Sequence, residues 1–428
     1  MNPNNIILTS GQEKGKKSAI EWFKSNSSKQ IFEIAGYAGT GKTTLVKYII
    51  EELGLSENEV AYAAYTGKAA LVMQLNGLKA TTIHKLIYET IEEEVEILDD
   101  EGNPVLDNKG KPLTKIEVSF EKRESLSSFL KLIVLDECSM INQDMLNDLK
   151  SFNLPIIVLG DLCQLPPIDT EPVLLFNPDV RLTEIMRQKE GDPIIYLATL
   201  AREGKRIERG KYGKSYVIDR NDIDLDIEYN FGKYNQILSS VDIILCRKNN
   251  TRSMLNKHVR ENIYNIHKQL PTFNDKLICR KNNFQLNLNE EISLSLVNGL
   301  IGYVNSPITK NDIDSKYNYF NMDFRPEICK EDFFDYIPVS SVNFLSGLTE
   351  NEERMAISKQ NSFFRKKDKI CNKFEFGYAI TVHLSQGSSW SKVFIYDEPF
   401  FDNEKALYTA ITRARKNVII AKKNRNYY

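Results

Sequence analysis

The sequence predicts an α/β fold built on an open parallel sheet. Three segments are apolar enough to form buried strands and end in polar residues: QIFEIAG (30–36), LKLIVLDECSM (130–140) and LPIIVLGDLCQLPPI (154–168). The first leads through a glycine-rich turn into KTTLVKYIIEEL (42–53), which has the apolar spacing of an amphipathic helix. Because the carboxyl ends of parallel strands lie at one edge of such a sheet, a ligand site is expected at that edge.

The glycine-rich turn is the first element that indicates a chemistry. Residues 36–43 fit the pattern G-x-x-x-x-G-K-[ST], with Gly36, Gly41, Lys42 and Thr43 at its fixed positions. In such loops the backbone N–H groups and the helix N-terminus bind phosphate, the lysine reaches the β- and γ-phosphate oxygens, and the hydroxyl ligates magnesium. A plain turn between strand and helix is the alternative, but the complete motif and both flanks favour a nucleoside triphosphate site. The nucleotide contacts predicted from this loop are Gly36, Ala38, Gly39, Thr40, Gly41, Lys42, Thr43 and Thr44.

The second predicted strand ends in a pair of carboxylates. We expect Asp136 to hold the magnesium ion and Glu137 to take a proton from the attacking water. A helix N-cap with a neighbouring acid is the alternative interpretation. The third strand ends in Asp161 and Gln164, so polar side chains follow both strands and hydrolysis of the nucleotide is favoured.

Length and composition indicate a globular protein of two or more domains. The chain has 428 residues, a length greater than one hydrophobic core usually serves. Its hydrophobic content of 42% is enough to fill more than one core. A net charge of −2 excludes an overall basic field, so nucleic-acid binding would have to be local. The six cysteines form no C-x-x-C pair, which argues against a disulfide framework or a zinc site. Because the sequence has neither a spanning apolar run nor the apolar stretch of a signal peptide, we expect a cytoplasmic location and no membrane partner.

Eight segments in a fixed order carry a family resemblance that covers nearly the whole chain. Single members are weak signals, whereas eight in order with sensible gaps are specific. They resemble the motifs of superfamily 1 DNA helicases, and among these the RecD-type and Dda-type enzymes are most similar. The segments are GYAGTGKTT, AYTGKAA, TTIHKL, LDECSM, GDLCQLPPI, LTEIMRQ, AITVHLSQGSSW and LYTAITRARK.

The resemblance implies an α/β architecture of two RecA-like parallel-sheet motor domains with ATP in the cleft between them. The expected domains are residues 1–187 and 188–428. The implied activity is ATP-driven translocation on single-stranded DNA, 5′ to 3′, coupled to strand separation. The implied cofactors are ATP and Mg²⁺, and the implied partners are single-stranded and forked duplex DNA. Single-strand-binding, replication or recombination proteins are further candidate partners, and activity as a monomer in a bacterial or phage-infected cell is expected.

The family also suggests roles around the nucleotide. In relatives the upstream glutamine, here Gln12, reads the adenine edge, and Gln164 would sense the γ-phosphate. Arg187 and Arg413 would reach the phosphate as fingers from the facing domain, although surface arginines are the alternative. Gly387 is a further predicted nucleotide contact. Some relatives stack adenine on a tyrosine where this chain has Met186.

The expected DNA contacts lie on short motifs that carry hydroxyl, amide and imidazole groups. Such groups bind phosphate and sugar without reading sequence. Tyr65 and Trp390 are candidates for stacking on bases, with a core position as the alternative. Relatives commonly have proline at Tyr65 and often lysine at Leu384. The other predicted contacts are Thr66, Lys68, Thr82, His84, Thr381, His383, Ser385 and Gln386.

A first insertion, residues 88–120, contains the tandem octads LDDEGNPV and LDNKGKPL (98–113), each with D-x-x-G-x-P. These residues specify tight turns, and the flanking EEVEI and TKIEVSF alternate like strands, so a protruding β-meander is predicted. Its position matches the β-hairpin pin with which the family splits duplex DNA. However, residues 92–119 contain no aromatic side chain, and their acidic cluster would repel phosphate. A solvent-exposed hairpin without a role in strand separation is therefore the alternative.

A second insertion is predicted at residues 271–368. Its first part, NDKLICRKNNFQLNLNEEISLSLVNGLIGYV, resembles the segment in which relatives carry a small SH3-like barrel. The remainder is aromatic and rich in asparagine, which suggests a tower along the DNA path or a docking surface. The runs at 365–369 and 413–428 are the candidate positive patches, with solvated faces as the ordinary explanation.

Three readings of function other than a helicase remain open from sequence. A translocase could strip proteins from single strands and separate duplex poorly. An ATP-gated DNA-binding subunit could serve a recombination or repair complex. RNA could replace DNA as the track, because phosphate contacts alone do not distinguish the two.

Overall fold

The computed structural model describes a large part of the chain, and the described residues fall into two compact units. The first unit is bounded as Met1–Leu86, Ser125–Ile266 and Tyr378–Tyr428, and the second as Ile87–Glu124 and His267–Gly377. The structure describes residues 8–25, 28–96, 104, 112, 114–165, 173–184, 192–220, 231–288, 295–345, 350–365, 367, 370–398 and 403–422. The predicted motor boundary at 187/188 lies outside these residues.

The N-terminal part of the chain alternates strands and helices. The strands are β1 (Ile31–Gly36), β2 (Val60–Ala64), β3 (Ala80–Thr82), β4 (Tyr88–Glu96), β5 (Thr114–Lys122), β6 (Leu132–Asp136), β7 (Ile156–Gly160) and β8 (Val180–Leu182). The helices are α1 (Ser10–Lys24), α2 (Lys42–Leu53), α3 (Gly67–Leu75), α4 (Ile83–Ile87) and α5 (Gln143–Ser151). Local signals set the ends of several helices: α1 begins with a capping box between Thr9 and Gln12, and α2 ends at Gly54, whose φ is 66°.

The first sheet has the order β3-β2-β6-β7-β1-β8 and is parallel throughout. Strands β2 and β7 are buried along their whole length, which explains their continuous apolar sequence. The register pairs Ala64 with Asp136 and Ala35 with Gly160. The carboxyl ends of these strands therefore lie at one edge of the sheet.

The C-terminal part supplies a second set of elements. The strands are β9 (Gly210–Tyr212), β10 (Ser215–Asp219), β11 (Ile243–Cys246), β12 (Lys276–Cys279), β13 (Asn283–Asn287), β14 (Ser295–Leu296), β15 (Ile301–Val304), β16 (Ile313–Asp314), β17 (Tyr319–Pro326), β18 (Phe334–Ser340), β19 (Phe374–Phe376), β20 (Ala379–Thr381), β21 (Trp390–Tyr396) and β22 (Ala414–Lys422). The helices are α6 (Pro193–Arg202), α7 (Phe231–Ser239), α8 (Asn249–His258), α9 (Glu350–Arg365) and α10 (Asn403–Ile411).

The second sheet belongs to the same unit as the first and has the order β20-β11-β21-β22-β10-β9. Its neighbours pair in parallel except for the edge strand β9, which is antiparallel to β10. The register pairs Cys246 with Thr381, so β11 and β20 also end at a common edge. The predicted α/β class with parallel sheets is confirmed.

The second unit is built from antiparallel strands. One sheet has the order β16-β17-β15-β12-β19, with β18 paired to β17, and β13 pairs with β14. The two nine-residue strands β4 and β5 form an antiparallel hairpin with a continuous register from Tyr88–Lys122 to Glu96–Thr114. The octads between them lie outside the described residues, except for Pro104 and Pro112. The SH3-like interpretation of the second insertion stays a prediction.

Within the part of the chain that the structure describes, no helix combines the length and the apolar character needed to cross a bilayer.

Gly302 tests the register of the antiparallel sheet. A Cβ on this β15 residue would lie 2.8 Å from Cα of Pro326 and would also meet the carbonyl oxygen of Arg325. We expect Gly302→Ala to lower the free energy of unfolding by about 1–3 kcal/mol, because backbone on β17 has no room to move aside. Calorimetric unfolding measures the change.

Gly11→Ala is the control for this substitution. The nearest atom to its added Cβ, Oγ1 of Thr9, lies at an ordinary 3.8 Å, and the residue is inside α1. Because Gly11 lies in the first turn of the helix, alanine there should change the free energy of unfolding by no more than about 0.5 kcal/mol. A Gly302→Ala protein as stable as wild type would contradict the pairing of β15 with β17.

Candidate nucleotide site

The phosphate loop connects the end of β1 to the start of α2. Gly39 and Gly41 have φ of 83° and 75°, in the left-handed region that favours glycine. A side chain on Gly41 would also be only 2.7 Å from Nε2 of Gln12. Nζ of Lys42 donates hydrogen bonds to the carbonyl oxygens of Gly36 at 2.7 Å and Tyr37 at 3.1 Å. The lysine therefore lies along the concave side of the loop.

Gln12 braces this loop. Its Nε2 donates to the carbonyl oxygen of Thr40 at 3.0 Å, and its Oε1 accepts from the N–H of Thr9 at 2.9 Å. The residue is 3% exposed. Both ends of the amide are thus engaged by protein, and contact with adenine stays a prediction.

Thr43 and Asp136 meet as the sequence predicts for a magnesium site. Oγ1 of Thr43 lies 3.2 Å from Oδ2 of Asp136. A hydroxyl and a carboxylate are the hard oxygen donors that Mg²⁺ prefers. The two side chains therefore fit the expected cofactor.

Glu137 stands next to this pair with an unusual backbone. Its φ of 54° is in the left-handed region, which is strained for a glutamate, and its N–H donates to Oδ1 of Asp136 at 2.8 Å. Burial raises the pKa of Glu137, and the nearby negative charge of Asp136 raises it further, whereas the cations of Arg413 and Lys42 lower it. A carboxylate of raised basicity beside a phosphate loop is suited to accept a proton.

Arg413 brings a cation from the second sheet region to this carboxylate. It is 5% exposed and lies between α10 and β22. Its Nε donates to the carbonyl oxygen of Thr409 at 3.0 Å, Nη1 to that of Ser388 at 3.2 Å, and Nη2 to Oγ1 of Thr412 at 3.3 Å. The charge of Arg413 thus acts on Glu137, whose pKa it lowers, while Arg187 and Met186 lie outside the described residues.

Buried oxygens without partners lie on the segments around the site. Gln164 donates its amide to Oδ2 of Asp161 at 3.4 Å, and Gln386 donates to the carbonyl oxygen of Leu165 at 3.2 Å. Among the described residues, Oε1 of both glutamines and Oγ of Ser388 are buried and make no hydrogen bond. An unpaired buried oxygen is unfavourable unless a ligand uses it. This observation fits a polar ligand such as a nucleotide.

Two contacts of the phosphate loop were missed from sequence. The hydroxyl of Tyr408 accepts from the N–H of Ala38 at 3.3 Å, and the guanidinium of Arg202 lies 3.9 Å from the ring centroid of Tyr37. Tyr408 is part of the motif LYTAITRARK, but no sequence pattern indicated its contact with the phosphate loop. No sequence signal indicates Arg202.

The DNA candidates of the first sheet follow β2 and β3. Oγ1 of Thr66 caps α3 by accepting from Ala69, and Oγ1 of Thr82 accepts from the N–H of Lys85. The rings of Tyr65 and His84 lie edge to face with centroids 6.1 Å apart. Burial lowers the pKa of His84, so this imidazole offers hydrogen bonds rather than a charge near neutral pH.

The DNA candidates of the second sheet are less uniform. Thr381 accepts from the N–H of Leu384 at 3.4 Å, and the pKa of His383 is lowered by burial and by the charge of Arg247. Ser385 is 0% exposed and donates to the carbonyl oxygen of Val382, and Trp390 is 5% exposed. The burial of Ser385 and Trp390 favours structural roles for both side chains.

Loops from the two sheets also meet at Gly387 and Lys68. A Cβ on Gly387 would lie 3.1 Å from Cβ of Ala69 on α3, and Gly387 has a φ of 71°. The ammonium of Lys68 lies 5.0 Å from the ring centroid of Trp390. The predicted contact of Gly387 with nucleotide stays a prediction.

Comparison with known proteins gives two matching family models. Residues 13–219 match a model described as an AAA domain, and residues 376–421 match a model of the UvrD-like helicase C-terminal domain. The first range contains the phosphate loop and the carboxylate pair, and the second contains Arg413.

Several relatives have similar sequences. The chain is 31% identical to the ATP-dependent DNA helicase Dda of Enterobacteria phage T4, over 46% of this chain and 43% of that protein. It is 28% identical to the ATP-dependent RecD2 DNA helicase of Deinococcus radiodurans, over 39% of this chain and 21% of that protein. An uncharacterised protein of Acanthamoeba polyphaga mimivirus is 26% identical over 96% of this chain and 99% of that one. The matched part is thus less than half the length of either named helicase.

A solved structure supports the same fold. Pif1 of Bacteroides, in a crystal structure bound to single-stranded DNA, has a TM-score of 0.52 and 17% identity, with 98% of this chain and 93% of that chain covered. At this level of identity the likeness concerns the fold alone. The two family models and the two named relatives make the chain similar to superfamily 1 helicases of the RecD and Dda group, which are ATP-dependent DNA helicases.

Proposed function

We propose that this protein is an ATP-dependent helicase that moves 5′ to 3′ on single-stranded DNA and separates the strands of a fork. The observation that carries the proposal is that groups of the second sheet region reach the phosphate site: the hydroxyl of Tyr408 accepts from the N–H of Ala38 at 3.3 Å, and the charge of Arg413 lowers the pKa of Glu137. Hydrolysis would then require both sheets to be in place. Such a site can convert nucleotide state into relative movement of two motor domains, which we assign to residues 1–187 and 188–428.

The residues at the site have separate tasks. The phosphate loop and Lys42 bind the triphosphate, and Glu137 orients a water and takes its proton. Arg413 offsets the negative charge that develops on the transferred phosphoryl group. Magnesium, held by Thr43 and Asp136, would neutralise charge on the phosphate oxygens. Gln164 would register whether the terminal phosphate is present.

The DNA track is proposed to follow the loops after β2, β3 and β20. These loops carry Thr66, Thr82 and His383, whose groups bind a backbone without reading bases. The named helicase relatives act on DNA, and the Pif1 structure was solved with single-stranded DNA, which supports the same track here. The 5′ to 3′ direction follows from the resemblance to RecD-type and Dda-type enzymes.

The hairpin of β4 and β5 is proposed as the wedge that splits the duplex. In sequence it occupies the position of the family's pin, and its two nine-residue strands pair along their whole length. The acidic and non-aromatic character of residues 92–119 supports one second candidate, a translocase that displaces proteins with little unwinding. Strand-displacement assays distinguish the two.

Glu137→Gln tests the assignment of the proton acceptor. We expect turnover stimulated by single-stranded DNA to fall by about a hundredfold or more, since an amide cannot take the proton. Binding of ATP and magnesium should persist. Steady-state ATPase assays and nucleotide titration measure both. Glu52→Gln, on the exposed side of α2, is the control, and wild-type turnover in Glu137→Gln would remove Glu137 from the mechanism.

Arg413→Ala tests the contribution of the second sheet. We expect turnover to fall by orders of magnitude while DNA affinity without nucleotide changes little, because the guanidinium acts on the phosphoryl group. Arg206→Ala, at a side chain that is 75% exposed, is the matched control. If DNA binding collapses and turnover at saturating DNA survives, Arg413 belongs to the track instead.

Replacement of residues 92–119 by a short Gly/Ser connection tests the wedge and the direction together. We expect strand separation from a 5′ tail to be lost while ATPase and single-strand translocation persist, because the phosphate loop and the DNA loops lie outside the hairpin. Unwinding of forked, 5′-tailed and 3′-tailed duplexes is the measurement.

Two outcomes of that experiment would contradict the proposal. Preferential unwinding from a 3′ tail by the wild-type protein would reverse the direction. Full unwinding by the variant without the hairpin would move the wedge elsewhere in the chain.

A further inference from the structure

The hydroxyl of Tyr408 joins two loops of the first sheet. Tyr408 lies on α10 and is 2% exposed. Its hydroxyl donates to Oδ2 of Asp161 at 2.7 Å and accepts from the N–H of Ala38 at 3.3 Å. Burial raises the pKa of Tyr408, and the charge of Asp161 raises it further, so the hydroxyl keeps the proton that it donates. One oxygen therefore connects the phosphate loop with the segment that follows β7.

Both partners of this hydroxyl belong to the nucleotide machinery. Ala38 is in the loop whose N–H groups bind phosphate. Asp161 also accepts from the N–H of Cys163 at 3.0 Å and from the amide of Gln164 at 3.4 Å. A single carboxylate thus lies between Tyr408 and the side chain that would detect the terminal phosphate.

Neighbouring residues on α10 extend the connection. Oγ1 of Thr409 accepts from the N–H of Leu165 at 3.0 Å, and the carbonyl oxygen of Thr409 accepts from Nε of Arg413. If this end of α10 moves relative to the first sheet, the bond from Leu165 and the two bonds of Tyr408 must break together, whereas the bond between Thr409 and Arg413 moves with the helix. Such a set of bonds is either all formed or all broken, so this end of α10 has two discrete positions relative to the first sheet.

A second helix contacts the same half of the phosphate loop. The guanidinium of Arg202, at the end of α6, stacks on the ring of Tyr37, the residue before Ala38. The first half of the loop is therefore held from the second sheet region at two adjacent positions. The other half, from Gly41 onward, is held by α2 of the first sheet.

We propose that Tyr408 is a positioning residue that transmits the occupancy of the phosphate loop to the Gln164 segment and, through α10, to the second sheet. The inference rests on the proposed function and adds the route by which nucleotide binding changes the affinity for DNA. Tyr408 acts through Ala38 and Asp161 and takes no part in making or breaking bonds of the nucleotide.

Tyr408→Phe removes the hydroxyl and keeps the ring, so packing is preserved. The informative measurement is the affinity for a labelled oligothymidine, without nucleotide and with a non-hydrolysable ATP analogue. The ratio of the two affinities measures the coupling between sites. We expect the ratio to fall at least fivefold toward unity in Tyr408→Phe, with the melting temperature and the affinity for the analogue nearly unchanged.

Steady-state kinetics give a second, independent readout. We expect DNA-stimulated kcat to fall about tenfold while KM for ATP stays within threefold, because the hydroxyl supports communication rather than binding. Asp161→Asn should show the same pattern. The double variant should be no worse than either single variant, since both remove one connection.

Tyr62→Phe is the matched control. Tyr62 is a buried tyrosine on β2 of the same unit, 7% exposed, and lies in no part of the proposed route. Its substitution should leave the coupling ratio and kcat at wild-type values. Equal coupling ratios in Tyr408→Phe and Tyr62→Phe would overturn the proposal. Additive losses in the double variant would also overturn it, as would a wild-type DNA affinity that is the same with and without the analogue.

Failure of the proposed function would be recognisable separately. The coupling ratio is an equilibrium quantity and needs no strand separation. A wild-type protein that shows coupling but unwinds no substrate would overturn the helicase proposal and leave the role of Tyr408 supported.

Discussion

The arrangement of the site depends on one buried charge, that of Arg413. A guanidinium that is 5% exposed is stable only when acceptors surround it. Two of its acceptors are backbone carbonyls, of Thr409 in α10 and of Ser388 before β21, so the direction of the side chain is set by the backbone of these segments. Because these segments come from the second sheet region and Glu137 from the first, the charge of Arg413 acts on Glu137 only while both sheets keep their places.

Several groups at this site have a strained backbone or an unpaired buried oxygen, and the free-energy cost must be offset by the rest of the molecule. Glu137 has a φ of 54°, and the side-chain oxygens of Gln164 and Gln386 are buried without hydrogen-bond partners among the described residues. Strain and unpaired polar atoms of this kind concentrate where ligands bind, since elsewhere selection for stability removes them. The fully buried strands β2 and β7 supply the rigid frame that tolerates them.

Local patterns were sufficient for the parts of the site that are close in sequence. The phosphate loop, Asp136 and the buried strands each carry their own periodicity or spacing; the structure has the parallel strands that were predicted and brings Thr43 of the loop next to Asp136. Contacts between distant segments leave no such pattern: Ala38 and Tyr408 are 370 positions apart, and the stacking of Arg202 on Tyr37 has no sequence signature. For the same reason the sequence could not show that Gln12 is engaged by Thr40, or that Trp390 is 5% exposed.

The strand order of the second sheet has a consequence for synthesis on the ribosome. Strands β10 and β11 are separated in the sheet by β21 and β22, which lie in the segment Tyr378–Tyr428. Until this segment leaves the ribosome, β10 and β11 have no central partners and their apolar edges stay open. The antiparallel strands from His267 to Gly377 emerge earlier and can pair with one another. The second sheet is therefore completed only after the antiparallel strands have emerged, by the same segment that carries Arg413.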